Sequence, residues 1–123
     1  RVFHPVIHPG DKDWREYYRN NNLTLPDQYH NGGIWPFVGG FYVAALVKAG
    51  RHEYARRMLE KLAAVNRQGI EEEWEFNEWC HGRTGLPMGY PHQAWSAGMY
   101  AFAHFCVQRG YVPIFAEGWN NTQ

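Results

Sequence analysis

The sequence lacks an excess of either charge and has few serines and cysteines, and each absence excludes a class of protein. Lys and Arg together number 12, as do Asp and Glu, so the formal net charge is zero. A neutral chain offers no general attraction to nucleic acid or to an anionic membrane. The one serine, Ser96, lies outside any G-x-S-x-G motif, and no P-loop or dinucleotide-binding glycine pattern occurs. A serine hydrolase of that type and a nucleotide-binding fold are therefore excluded.

The two cysteines, Cys80 and Cys106, are too few for a disulfide framework, so a reduced, cytoplasmic setting is the simpler interpretation. A single bridge between them stays open. No stretch approaches the roughly 20 apolar residues of a membrane-spanning helix, and no signal-peptide pattern is present. The chain begins with Arg1 rather than Met, which leads us to expect a piece of a longer protein.

Histidine and cysteine also lack the spacing of a zinc site. His4 and His8 are four residues apart, which suits a metal on a helix, but Pro5 and Pro9 argue against a helix there. We therefore predict neither a metal nor a cofactor.

Aromatic residues, in contrast, are abundant: they make up 17% of the sequence and include six Trp. A small core does not need so many, so they favour a stacking surface or an unusually large buried interface. A chain of 123 residues is at most one domain with a modest core. We treat residues 1–123 as a single, partial domain.

Two segments predict surface helices. Residues 11–20 suggest a short helix with its three aromatic residues on one side. Residues 52–68 are amphipathic, and Gly69 is expected to end that helix. Its apolar stripe consists of Ala55, Met58, Leu59, Leu62, Ala63 and Val65. The tail, residues 111–123, is expected to be irregular.

Two further helices, residues 36–49 and 93–108, are apolar almost all round and should be buried on several sides. Gly50 and Gly110 are expected to end them. Helices that alternate between amphipathic and wholly apolar suggest an outer and an inner layer, whereas a four-helix bundle would give every helix one stripe. The predicted fold class is therefore all-α, built of helical hairpins, with an inner layer that 123 residues leave incomplete.

A long, unusual loop precedes each inner helix: residues 21–35 and residues 70–92. The second loop is predicted to hold an irregular or β-hairpin stretch around 70–91, with a short strand or hairpin arm at 73–79. If alternate helices run antiparallel, the two inner helices point the same way and both loops lie side by side. We expect the functional site at that end.

Both loops carry motifs of a known kind. QYHNGGIWP (28–36), followed by an apolar helix and AGR (49–51), resembles the neutral/alkaline invertases, the amylo-α-1,6-glucosidases of glycogen-debranching type and related processing α-glucosidases. NEWCHGRTGLPMGYPHQAWSAG (77–98) is similar to a second segment of these enzymes. The resemblance implies an (α/α)6 toroid with a sugar funnel at the N-terminal ends of its inner helices. It also implies that this chain is the C-terminal part of that toroid.

The resemblance implies a chemistry as well. An inverting glycosidase needs a general acid and a general base on opposite sides of the scissile bond. The family's general acid, an aspartate, lies upstream of the YHNGG motif and outside these residues. Glu78 is the predicted general base, by resemblance and because it lies between Asn77 and Trp79, ahead of a glycine-containing turn. Glu75 is the alternative, since an alignment shift of three residues would exchange the two.

A sugar site needs flat aromatic platforms and polar rims. The predicted substrate-binding residues are His30, Asn31, Trp35, Trp79, His81, His92, Gln93 and Trp95. Packing at the helix starts is an equally open alternative for Trp35 and Trp95. Arg83 could contact substrate, but it is rather expected to pin its loop through a carboxylate. His104 is expected to be a core histidine.

The expected substrate is an oligosaccharide or glucoside, and the linkage stays open. The stretch EFNEWCHG (75–82) differs from the invertase version, which argues against sucrose, and Phe37 with Gly39 and Gly40 resembles the debranching relatives. We expect the isolated chain to be inactive, because one carboxylate cannot serve both roles. The missing part of the toroid, or self-association, would then cover the inner helices.

Two other functions compete with this prediction. One is a stand-alone helical module that binds sugar or acts as a scaffold. The other is a toroid epimerase with histidine acid–base chemistry, against which the Glu-Trp and YHNGG segments argue.

Overall fold

The computed structural model describes residues 4–22 and 24–113. It contains a 3-10 helix, Glu16–Asn22, and three α-helices: α1 (Pro36–Lys48), α2 (His52–Arg67) and α3 (Ala94–Arg109). Two short antiparallel strands, β1 (Trp79–Cys80) and β2 (Pro87–Met88), pair in the second loop. The predicted class of helical hairpins with a β-hairpin inside residues 70–91 is confirmed. Most of the tail, residues 114–123, lies outside the described residues.

Helices α1 and α3 form the inner pair. Gly40 allows their backbones to approach closely, because a Cβ atom there would lie 2.7 Å from the carbonyl oxygen of Met99. Left-handed glycines follow both helices, Gly50 with φ 71° and Gly110 with φ 74°, as the sequence predicts. Both helices therefore stop where the chain must turn.

Helix α2 packs against both inner helices from one side. Its buried positions Ala55, Leu59 and Leu62 follow the predicted stripe and recur every three or four residues. The helix ends at Arg67, and the residue after it, at position 68, has an extended backbone. Gly69 does not have a left-handed backbone, so it is not a glycine C-cap of this helix. The shared core consists of Val43, Ala44, Leu46, Val47, Ala55, Leu59, Leu62, Ala103, Cys106 and Val112.

Large apolar side chains remain exposed along the inner helices. Phe41 and Tyr42 on α1 are 50% and 48% exposed, and Trp95 on α3 is 49% exposed. His104 is exposed too, so its expected place in the core is wrong. Among its ring contacts His104 has Tyr100, one turn earlier on the same helix, at 6.4 Å, and that contact leaves the imidazole exposed to solvent. This agrees with an inner layer that is incomplete.

Two local predictions are also wrong. The segment 11–20 does not form one helix: its first residues form a turn, closed by the Trp14 N–H on the Asp11 carbonyl at 3.0 Å, and a 3-10 helix begins only at Glu16. No strand forms from residue 73, because Trp74 and Phe76 have φ values of 64° and 51°. Left-handed residues cannot continue a strand, so β1 begins only at Trp79.

Both cysteines are buried free thiols, which leaves no bridge between them. Burial raises the pKa of the Cys80 thiol to about 11. No helix among the described residues is long and apolar enough to cross a membrane.

Candidate functional site

The two long loops lie side by side, as predicted. The backbone N–H of Ile34 donates to the carbonyl of Cys80 at 2.8 Å, and the N–H of Cys80 donates back to the carbonyl of Ile34 at 2.7 Å. The N-terminal ends of α1 and α3 consequently lie at the same end of the molecule.

Asp27 and Arg83 strengthen this junction. The Gly82 N–H donates to the Asp27 carbonyl at 2.7 Å, and the Arg83 guanidinium lies 3.3 Å from the buried Asp27 carboxylate. A Cβ atom at position 82 would lie 1.9 Å from the carbonyl oxygen of Gly32, so only glycine fits there. The expectation that Arg83 pins its loop through a carboxylate is confirmed.

An open cleft of about 380 Å³ lies where the loops meet the starts of the inner helices. It is lined by Tyr29, His30, Trp35, Phe37, Val38, Glu78 and Trp95. Glu78 is the one carboxylate among these described lining residues. The cleft therefore combines a carboxylate with aromatic surface, which is the composition expected of a sugar site.

Aromatic rings form one wall of the cleft. The rings of Tyr29 and His30 stack with centroids 4.1 Å apart, and the rings of His30 and Trp35 lie 5.3 Å apart. The indole N–H of Trp35 donates to the Tyr29 carbonyl at 3.1 Å, which fixes the orientation of the ring. Trp79 supports this wall from behind: it is 2% exposed and contacts Tyr29 edge-on at 5.8 Å.

Glu78 lies half-buried on the opposite loop. Its backbone N–H donates to the Tyr90 carbonyl at 2.9 Å, and its carboxylate accepts from the Tyr90 N–H at 3.4 Å. Gly89, with φ 72°, leaves the space that the Glu78 side chain occupies, because a Cβ atom there would lie 2.6 Å from Glu78 Oε2. The hairpin thus fixes the main chain of Glu78 and makes room for its carboxylate.

Glu75 has quite different surroundings. It is 2% exposed, and its carboxylate accepts hydrogen bonds from the backbone N–H groups of residues 70–72. The backbone N–H groups of Ile70 and Glu71 are the main cause that lowers its pKa to about 2. Glu75 does not line the cleft.

The other predicted substrate-binding residues fall into two groups. His30, Trp35 and Trp95 line the cleft with Glu78. Asn31, Trp79, His81, His92 and Gln93 do not line it. Their roles in substrate binding stay predictions.

Several of the second group have structural partners. The Asn31 amide bonds both backbone groups of Ile7, at 2.8 Å each. The imidazole Nδ1 of His81 accepts the N–H of Arg83 at 3.2 Å, so His81 stabilises the hairpin turn. Gln93 is the residue at the N-cap of α3, and its side-chain amide donates to the Pro91 carbonyl at 3.2 Å.

Tyr29, Phe37 and Val38 line the cleft without having been predicted. Tyr29 belongs to the QYHNGG motif, which was the available signal. Phe37 and Val38 follow Pro36 at the start of an apolar helix and are indistinguishable from core residues in the sequence. Among the described residues, no group of three His, Cys, Asp or Glu side chains could hold a metal ion.

Inner and outer helical layers, with a carboxylate in an aromatic cleft where the inner helices begin, are the arrangement expected in the (α/α)6-toroid glycosidase class. Comparison with known proteins gives the family: the sequence profile of the amylo-alpha-1,6-glucosidases matches residues 5–101. The chain belongs to that family.

Individual proteins that resemble the chain share about 30% of its residues or fewer. The chain is 28% identical to the probable alkaline/neutral invertase D of Arabidopsis thaliana over 88% of its length, and 31% identical to the cytosolic invertase 1 of Oryza sativa subsp. japonica over 88%. It spans only 20% and 18% of those two proteins. No solved structure matches the chain significantly.

Proposed function

We propose that this chain supplies the general base and part of the sugar pocket of an inverting glycoside hydrolase of the α-glucosidase or debranching type. Glu78 is the base in this proposal, and the general acid is an aspartate from a part of the protein upstream of these residues. The observation that carries it is the position of Glu78 in a cleft walled by Tyr29, His30 and Trp35.

The geometry favours Glu78 over Glu75 for this role. A general base must reach a water molecule beside the substrate. The Glu78 carboxylate faces an open cleft, whereas the oxygens of Glu75 are already bonded to three backbone N–H groups and to the Asn77 amide. Glu75 therefore has no free acceptor capacity to offer a water molecule.

The aromatic wall gives the substrate its platform. Sugars present flat C–H faces, and His30, Trp35 and Trp95 offer rings at the mouth of the cleft. The family name points to α-1,6-linked glucosides, whereas the names of the relatives point to the substrate of an invertase. We propose an α-linked gluco-oligosaccharide rather than sucrose, because EFNEWCHG (75–82) differs from the invertase version and Phe37 resembles the debranching relatives.

Sugar binding by the purified chain tests this proposal. We expect isomaltose and maltose to change the tryptophan fluorescence more than sucrose does. Trp95→Ala should weaken binding about tenfold by removing a platform. Trp74→Ala is the matched control, because Trp74 is exposed to a similar degree but lies outside the cleft.

The same preparation should release no sugar, because it holds only one of the two carboxyl groups. Turnover by the chain alone that Glu78→Gln abolishes would overturn the division of roles. A sugar affinity that Trp95→Ala leaves unchanged, or a fluorescence response that is absent with all three sugars, would contradict the assignment of the cleft.

A further inference from the structure

The buried Glu75 carboxylate accepts four hydrogen bonds. Its Oε2 accepts the N–H of Ile70 at 2.9 Å, and its Oε1 accepts the N–H of Glu71 at 2.6 Å and that of Glu72 at 3.1 Å. Three successive backbone donors thus converge on one buried side chain. Glu71 and Glu72, whose side chains are exposed, thus supply main-chain donors to this carboxylate.

The turn around Glu75 has no spare room. A Cβ atom on Gly69 would lie 2.8 Å from the Glu75 carboxyl carbon and 1.8 Å from the Glu72 carbonyl oxygen. Asn77 donates its amide to Glu75 Oε2 at 3.2 Å and to the Gln68 carbonyl at 3.4 Å. The Asn77 amide therefore joins the end of α2 to the Glu75 carboxylate, which in turn holds the backbone of residues 70–72.

The main chain of the same segment is bonded on its other side to the start of α3. The carbonyl of Glu75 accepts the N–H of His92 at 2.6 Å, and the carbonyl of Phe76 accepts the N–H of Gln93 at 3.0 Å. The carbonyl of Asn77 accepts the hydroxyl of the fully buried Ser96 at 3.3 Å. Three successive carbonyls are thus held by the helix turn that carries Trp95, directly before Glu78.

We propose that Glu75 is a positioning residue, which with Asn77 holds the Glu78 segment between the end of α2 and the start of α3. It acts through the main chain and touches no sugar. This role matters for catalysis because Glu78 is the proposed base, so that part rests on the proposed function. The hydrogen-bonded connection between Glu75 and the Glu78 segment does not depend on it. A carboxylate suits the position because it only accepts hydrogen bonds, whereas a Gln amide would direct N–H groups towards backbone donors.

Backbone amide exchange in the purified chain tests the coupling. We expect Glu75→Gln to speed exchange about tenfold at residues 70–72 and also at the amides of Glu78 and Gln93. Protection in the middle of α1 and α2 should not change. Glu73→Gln is the matched control, because Glu73 lies in the same loop but is exposed and pairs with Arg67 at the surface.

Faster exchange confined to residues 70–72 would overturn the proposal, because Glu75 would then stabilise only its own turn. If Glu75→Gln does not fold, Asn77→Ala replaces it: this variant keeps the three backbone donors but removes the amide that joins Glu75 to Gln68. Unchanged exchange at Glu78 in a folded Asn77→Ala would equally contradict the role.

Sugar binding separates this inference from the proposed function. We expect Glu75→Gln to lose the fluorescence response that Glu73→Gln retains. A wild-type chain without any sugar response contradicts the proposed function, and the exchange result still decides whether Glu75 positions the segment. A Glu75→Gln variant that binds sugar normally contradicts the positioning role alone.

Discussion

Glu75 and Glu78 are three residues apart in one loop, yet their carboxylates have different partners. Glu75 is buried among backbone donors, and Glu78 lines an aromatic cleft. The sequence makes them near-equivalent candidates, because both lie beside an aromatic residue in an acidic run. Only the backbone N–H groups of residues 70–72, which have no signature in the residue types, tell the two apart.

The lowered pKa of Glu75 makes the stability of the chain depend on pH. Its value falls from the ordinary 4.5 to about 2 on folding, so the stabilisation is complete above about pH 4.5 and is lost as the pH falls towards 2. We expect the unfolding temperature of the wild type to exceed that of Glu75→Gln near pH 7 and the gap to narrow in acid. Thermal unfolding of both proteins from about pH 7 to about pH 3 measures this. A constant gap would contradict it.

Gly89 gives a second prediction, for the position of the Glu78 side chain. Gly89→Ala would place a Cβ atom 2.6 Å from Glu78 Oε2, so we expect the carboxylate to shift and sugar affinity to fall about tenfold. Gly85→Ala is the matched control: its φ of 75° carries the same backbone strain, but its nearest neighbour is 4.0 Å away. Equal losses of affinity in the two variants would show that strain, rather than contact with Glu78, is the cause.

At the level of the elements, the inner helices depend on a close approach between α1 and α3. Gly40 faces the backbone and Cβ of Met99, so an added methyl group must push the helices apart. We expect Gly40→Ala to lower the free energy of unfolding by about 1–3 kcal/mol in urea. Gly98→Ala, on α3 with nothing within 4 Å, should instead raise it by about 0.5–1 kcal/mol. A neutral Gly40→Ala would contradict the packing.

The helices could be predicted from the sequence, whereas parts of the second loop could not. The apolar composition of α1 and α3 and the stripe of α2 are properties of residue type and spacing, and Gly50 and Gly110 mark two of their ends. Trp74 and Phe76 adopt left-handed backbone that their side chains do not favour. Hydrogen bonds to distant parts of the chain hold this left-handed backbone, so the local sequence does not predict it.

The candidate site, too, could be predicted only in part from the sequence. Side-by-side loops follow from the layering of the helices, and His30, Trp35, Glu78 and Trp95 could be placed from two motifs. The place of Asn31 beside Ile7 could not, because its partners lie in a segment without a recognisable pattern. Tyr29, within the same motif, was missed because a tyrosine beside a histidine suggests no particular direction for its ring.

At the scale of the whole molecule, the exposed flanks of the inner helices indicate that the inner layer is incomplete. Phe41 and Tyr42 would both be expected inside a closed toroid, yet about half of each residue is exposed. The chain spans about a fifth of the curated relatives described above. In our proposal, the remainder of such a protein covers these flanks and brings the missing acid to the cleft.

The main-chain bridge between Ile34 and Cys80 also affects which changes the site can accept during evolution. Both of its hydrogen bonds join main-chain atoms, so neither depends on the side chain at position 34 or 80. The distance between the aromatic wall and the Glu78 segment is therefore set by groups that every residue except proline carries. Mutation can exchange the rings of the wall one at a time while the acid keeps its place opposite them. Selection for a new sugar can thus act on the side chains without having to rebuild the frame.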